Sequence, residues 1–523
     1  MFTGFRRAIL FAIAILFTSA ASPVHADWRR AESPSFIVYS QGSEHHLRRY
    51  VRNLEIYDFL LRQRMGLPTA TGGRKLPIYL VNGRSGILQI NPRTGPNVAG
   101  TYFPVGEDIF AAAFNDREQD YLFHEYFHHF SYQLASTAGY PAWLLEGLAE
   151  YFMTAEISET SVRIGGYNEG RVYGLFDATW LPLEDLLTKR VGEVRRTHQA
   201  SYYPVAWLMT HWFMSDDIRR AQLAAYIMDI QQGEESVAAM ERATGLTMDQ
   251  LRQQLRRYRR LTIETYTADF PETPVTVTRL PRSADDLLLI GQRLKVGVSE
   301  DQRAETADLV RRLAARHPDD PFALLQLGHA ELHFGDPDAG EAILTRLLER
   351  EPENVEALQL MATRFTRLAR ERPGETIPLM RQARGYLARA YTVDPGQYYT
   401  LQLLAESRQA DDSYPSENDL LTWDQAFQLA PQLATIRLGY ANALMQAEEF
   451  DEAVILLRPL ANAAHGGRAA DMAAGLMERA ENRQQPLSAE ELEAASAEGS
   501  GEDKGEPEGE GEETPPPPPG PAR

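Results

Sequence analysis

Across residues 284–481 the chain consists of helix-patterned stretches interrupted at a steady interval. Pro318, Pro352, Pro395 and Pro431 each follow such a stretch, at spacings of 34, 43 and 36 residues, with small and apolar residues recurring at similar offsets. Proline cannot continue a helix, because it lacks the N–H and its ring clashes with the preceding turn. A period of this length corresponds to one helical hairpin per unit, and a hairpin alone cannot bury its apolar face. Four or five such hairpins stacked into a superhelix account for the pattern, an unrelated helical bundle being the competing arrangement.

The rest of the 523 residues follow a different plan, and a chain of this length is expected to divide into two or three domains. Residues 35–40 (SFIVYS) alternate and are rich in β-formers, 44–64 have helical periodicity, and 76–81 read as a second strand. Residues 82–106, dense in Gly, Asn and Pro, read as a long loop, and 108–114 (DIFAAAF) as a short apolar strand. Asn115 with Glu118 three residues later predicts a capped helix over 116–136 that stops near Gly139. Pro141, at a position where proline is well tolerated, opens another helix to about 155. Further helices are expected over 202–214, 218–231 and 248–261.

The chain ends carry their own signals. Arg6 and Arg7, an apolar run over 8–17 and the small residues of Val24-His25-Ala26 predict a signal peptide over 1–26, cleaved before Asp27. The apolar run is short for a spanning helix, so no stable membrane span is expected after cleavage, an uncleaved anchor being the competing reading. The chain has no cysteine, which excludes disulfides, thiolate ligands and a cysteine nucleophile. These features point to a periplasmic or secreted protein. Of the net charge of -20, nine negatives fall within residues 488–523, where eleven Asp or Glu face only Lys504 and Arg523. The acidic, Pro- and Gly-rich stretch 486–523 is expected to be disordered. No basic stripe interleaved with aromatics occurs, which disfavours a nucleic-acid partner.

Chemistry concentrates in two adjacent helical segments. His124 and His128, in His124-Glu125-Tyr126-Phe127-His128, stand one turn apart with Cβ atoms roughly 5–6 Å from each other. That spacing lets two imidazoles converge on one tetrahedral zinc ion, with Glu125 beside the first to hold a water. The next helix reads Trp143-Leu144-Leu145-Glu146-Gly147-Leu148-Ala149-Glu150-Tyr151. Folded back by the Gly139-Tyr140-Pro141 turn, it would bring Glu146 to the ion as a third ligand and leave a fourth position open. Gly147 permits a close helix approach, and Glu150, one turn on, can hold the far nitrogen of a ligand histidine. His129 points about 100° away around the helix and reads as a packing histidine. His211 reads as a core residue, and His45 and His46 as exposed.

These two segments, HEYFH followed by WLLEGLAEY, resemble the gluzincin zinc metallopeptidases, the clan of thermolysin and aminopeptidase N. The resemblance is closest to the peptidase MA-like domains of unknown function that accompany tetratricopeptide repeats in bacteria, and the units of 284–481 resemble such repeats in degenerate form. The likeness spans about 27–261 and is specific at the two motifs. It implies zinc ligation by His124, His128 and Glu146, and Glu125 as general base. It also implies a transition-state tyrosine on a later helix; Tyr203, in Tyr203-Pro204-Val205-Ala206-Trp207-Leu208, fits that context best, with Tyr202 a close competitor. Seventeen residues separate His128 from Glu146, one fewer than in the aminopeptidases. The Gly-x-Met-Glu-Asn motif that holds a free amine in aminopeptidases does not occur, which argues against an aminopeptidase and leaves an endopeptidase or another amide hydrolase.

The expected fold is an α+β zincin-like metallopeptidase domain over 27–265 followed by an all-α tetratricopeptide-repeat superhelix over 284–481. The expected activity is zinc-dependent hydrolysis of a peptide or protein substrate, with the 108–114 strand pairing an extended substrate along the cleft. The repeats are expected to dock a protein partner or substrate. The competing expectation is a catalytically silent peptidase-like scaffold that acts through its repeats in protein binding or envelope assembly.

Overall fold

The computed structural model describes residues 27–68, 74–95, 98–115, 119–134, 139–176, 178–463, 467–488 and 491. The expected signal peptide, the capping residue Glu118 and almost all of the expected disordered tail lie outside these residues.

The N-terminal region is mixed α+β. Its strands are β1 (Arg29–Glu32), β2 (Phe36–Ser40), β3 (Leu76–Val81), β4 (Gly100–Val105), β5 (Asp108–Phe114), β6 (Glu156–Ile157), β7 (Ser161–Ile164), β8 (Glu264–Thr267) and β9 (Thr276–Arg279). They form a six-stranded sheet in the order β4-β5-β3-β2-β1-β9 and a small sheet β6-β7-β8. β2, β3 and β5 run parallel, while β4 and β1 flank them antiparallel.

β3 and β5 are nearly continuous apolar runs, as strands covered on both faces require. Ile78, Leu80, Ile109, Ala111 and Ala113 face a core shared with α1 (Glu44–Met65). Tyr79, Val81, Phe110 and Ala112 face the opposite core, closed by Ile87 and Ile90 of α2 (Arg84–Ile90). Two sequence expectations are corrected here. Residues 82–106 are not one long loop, because they contain α2 and β4; Thr101, Tyr102 and Phe103 support the strand, and Pro104 is tolerated on its edge position. β5 is hydrogen-bonded on both sides, so it has no free edge for an extended substrate; the sheet edge belongs to β4.

The helices that follow are α3 (Asp120–Ser131), α4 (Ala142–Met153), the short α5 (Glu169–Val172), α6 (Leu183–Thr188) and α7 (Arg196–Gln199), then α8 (Tyr202–Met214), α9 (Asp217–Gln231), α10 (Ser236–Thr244) and α11 (Met248–Arg257). The first domain does not end at 265, since β9 pairs with β1 and completes the main sheet.

From 283 onward the described elements are all helical. They pair as α12 (Ser283–Val296) with α13 (Arg303–Ala314), α14 (Pro321–Phe334) with α15 (Pro337–Arg350), α16 (Val355–Glu371) with α17 (Thr376–Val393), α18 (Tyr398–Arg408) with α19 (Glu417–Leu429), and α20 (Ala434–Gln446) with α21 (Phe450–Ala461), closed by α22 (Arg468–Glu481). Pro318, Pro352, Pro395 and Pro431 fall in the turns after α13, α15, α17 and α19. Asp320, Asp336 and Asn354 cap the next helices by accepting backbone N–H bonds.

The first helices of the pairs meet the N-terminal region. Ala284 and Leu288 of α12 join the core on the outer face of the sheet. Gln292 donates to the Tyr79 hydroxyl at 2.5 Å, and the Arg74 guanidinium lies 5.2 Å from the Tyr398 ring centroid. Tyr398, Leu401, Trp423 and Leu433 belong to the same continuous core as Leu54 and Phe127. The repeats are therefore packed against the α+β region rather than tethered to it.

Candidate metal centre

α3 is held from behind by α1. Tyr57 stacks on Phe123 with centroids 4.1 Å apart and donates to the Phe123 carbonyl. Tyr126 donates to Asp58 Oδ1 at 2.6 Å, and Arg62 donates to the other oxygen of that carboxylate at 2.7 Å. With this face occupied, helical spacing turns His124 and His128 toward α4, which packs against α3 after the Gly139-Tyr140-Pro141 turn.

Three donor atoms converge there. His124 Nε2 and His128 Nε2 are 3.1 Å apart. Glu146 Oε2 lies 3.5 Å from the first and 3.4 Å from the second. Donors held about 2.0–2.1 Å from a tetrahedral zinc ion stand roughly 3.3–3.4 Å from one another, so the triangle has the dimensions of one face of such a tetrahedron. Two imidazoles and one carboxylate are also a donor set that zinc accepts. Glu150 Oε1 lies 3.1 Å from His124 Nδ1, on the far side of the ring. Glu146 and Glu150 are 1% and 2% exposed, an arrangement that two carboxylates keep only with a compensating cation or proton. Burial lowers the affinity of His124 for a proton, but hydrogen bonds to Glu146 and Glu150 outweigh it and raise the pKa to about 10. A divalent ion bound to Nε2 would displace that proton and meet the same carboxylate field.

Glu125 neighbours the first histidine and is half-buried. The two tyrosines at the start of α8 differ. The Tyr203 ring sits edge-on to His124, with centroids 6.3 Å apart, whereas the Tyr202 hydroxyl is buried and donates to the Lys189 carbonyl at 3.0 Å. α8 comes this close because Gly147 lets α4 lie on it: a Cβ there would meet Thr210 Oγ1 at 2.1 Å and the Ala206 carbonyl at 2.7 Å. The structure thus brings His124, His128 and Glu146 to one point, with Glu150 behind the His124 ring and the Tyr203 ring edge-on to it.

The remaining histidines have other neighbours. His129 Nδ1 is 2.8 Å from the hydroxyl of Tyr102 on β4, and burial lowers its pKa to about 3. His211 is buried between the Gly165 carbonyl and the Tyr258 hydroxyl, at 3.0 and 2.9 Å. His45 is exposed, while His46 is half-buried rather than exposed as the sequence predicts. The sequence signal for Tyr102 is the run of β-formers Thr101-Tyr102-Phe103.

Compared with known proteins, residues 321–364 match the tetratricopeptide repeat family, which covers α14, α15 and the start of α16. No curated protein matches the chain. Repeats of this kind are protein-interaction scaffolds. No described helix is long and apolar enough to cross a membrane.

Proposed function

We propose that the chain is an exported zinc-dependent peptidase of endopeptidase type, with a zincin-like site held by His124, His128 and Glu146. The observation that carries this reading is the donor triangle of 3.1, 3.4 and 3.5 Å, with Glu125 next to its first corner. When bound, zinc supplies a Lewis acid for a peptide carbonyl and acidifies water toward a pKa of about 7. Glu125 takes a proton from the attacking water and returns it to the leaving amine. Tyr203 donates a hydrogen bond to the oxyanion as the carbonyl becomes tetrahedral. Glu150 accepts from His124 Nδ1 and so keeps the Nε2 lone pair turned toward the metal position. The edge of β4 offers main-chain groups to an extended substrate, a mode of binding tolerant of sequence. The leader over residues 1–26 supports export to the periplasm or beyond.

The repeats serve a protein partner or substrate. Their first helices are engaged with the α+β region, and the second helices carry outward apolar side chains, among them Ile377, Leu421 and Ile455. The repeat match also favours a second reading, a scaffold that binds proteins without catalysis.

Hydrolysis of a casein-type substrate by the purified chain, with and without a zinc chelator, separates the two. His124→Ala and Glu146→Ala are expected to lose one zinc equivalent and all turnover. Glu125→Gln is expected to keep that zinc while turnover falls about 10²–10⁴-fold, because only the base is removed. Undiminished hydrolysis by Glu125→Gln refutes the mechanism, and a zinc-loaded wild type inert on every substrate favours the scaffold.

A further inference from the structure

A second pair of histidines one turn apart lies on α14, within the repeats. His329 is 1% exposed, and neither of its ring nitrogens has a hydrogen-bond partner among the described residues. The same holds for the buried Nε2 of His333. The two rings stand 5.1 Å apart at 71°, close to the 4.8 Å and 75° of His124 and His128. Glu107, in the turn between β4 and β5, brings its Oε2 to 3.3 Å from His329 Nε2. A charge-assisted hydrogen bond is shorter, about 2.7–2.9 Å, whereas 3.3 Å is the separation of two ligands on one tetrahedral ion. Donor atoms from all three residues lie within 4.8 Å of one another.

The charges nearest this trio, Lys295 near Glu107 and Arg367 near His333, have partners of their own. Asp108, the neighbour of Glu107, is engaged by Arg74 at 2.6 Å and Lys295 at 3.6 Å, and Lys295 also meets Glu356 at 3.1 Å.

We propose that Glu107, His329 and His333 bind a second divalent transition ion, zinc foremost, which clips the β4–β5 turn onto the repeat helix α14. Imidazole with carboxylate suits zinc, nickel or copper rather than magnesium or calcium. The residue after His329 is Ala330, and Glu331 is taken by Arg311, so this site has no base beside its first ligand. Its role is structural: it joins the α+β region to the repeats across two segments far apart in the chain.

The test uses the full chain, stripped with chelator, re-loaded with Zn2+ and dialysed against zinc-free buffer. Metal analysis is expected to find two equivalents in the wild type and one in His333→Ala and in Glu107→Gln, with the equivalent at His124 and His128 retained. Equal zinc content in wild type and both variants overturns the proposal. Crystals of the wild-type chain grown with Zn2+ decide independently of how the variants fold. An anomalous peak at the zinc edge between Glu107, His329 and His333 supports the site, and no peak there overturns it, whatever occupies the other cluster.

Discussion

Two clusters in this molecule share one local plan, a pair of histidines one helical turn apart facing a glutamate from elsewhere. At His124 and His128 the glutamate comes from the next helix, another carboxylate stands beside the first histidine, Glu150 backs the ring, and Tyr203 flanks it. At His329 and His333 the glutamate comes from a strand turn in a different region, the intervening residues are Ala330, Glu331 and Leu332, and the one carboxylate among them is spent on Arg311. The pair spacing is therefore a statement about where a cation fits. On the proposed function, what the cation does would follow from the groups around it: Glu125 as base, Glu150 as the carboxylate that orients the ring and Tyr203 as oxyanion donor in the first case, and no counterpart to them in the second.

Substitutions that touch only those surroundings sharpen the contrast. Tyr203→Phe is expected to lower kcat about 10²–10³-fold, the loss of one oxyanion donor, while zinc content at both clusters is unchanged. Tyr202→Phe removes a bond to the Lys189 carbonyl and is expected to lower stability by about 1 kcal/mol with turnover near normal. Matched steady-state kinetics and melting curves check the pair, and the reverse pattern would transfer the role to Tyr202. Glu150→Gln comes next in size. It weakens the grip on His124 Nδ1 and is expected to reduce zinc affinity at the first cluster roughly 10–100-fold, with no change at the second; chelator-competition titration reads this directly. Gly147→Ala acts on the fold rather than on a ligand. Its methyl must displace Thr210 and the Ala206 backbone, which is expected to destabilise the fold by about 1–3 kcal/mol and to move Tyr203 off His124. A thermal melt indistinguishable from wild type would show that α4 and α8 are not held as tightly as Gly147 implies.

Much of this was legible in the chain. The runs at 108–114 and 202–214 coincide with β5 and α8, because their apolar patterns are dense and their ends carry turn or polar residues. The four spaced prolines mark the ends of α13, α15, α17 and α19, since a proline ends a helix whatever it packs against. The first cluster was legible for a related reason: its members lie within two neighbouring helices, and helical periodicity alone aligns His124 with His128 and Glu146 with Glu150. The misreadings have the opposite character. In 82–106 the many Gly, Asn and Pro residues masked a short helix and an edge strand that owe their form to the sheet beside them. The sequence points to 108–114 as the substrate-pairing edge, and only the strand order shows that β4 covers it. The sequence ends the first domain at 265 because β9 has little apolar signal of its own and is ordered by pairing with β1.

The sequence by itself determined the local devices: which segments are helical, where the repeats turn, and that two histidines and two glutamates face the same way on adjacent helices. These follow from propensity, periodicity and capping, which act over a few residues. Only the tertiary structure decided that the repeats close the second face of the sheet, that Tyr203 rather than Tyr202 lies against His124, and that Glu107 meets His329 and His333. Each of those joins segments distant in the chain, and such contacts form because apolar faces of several elements must be buried together, a condition no single stretch of sequence states.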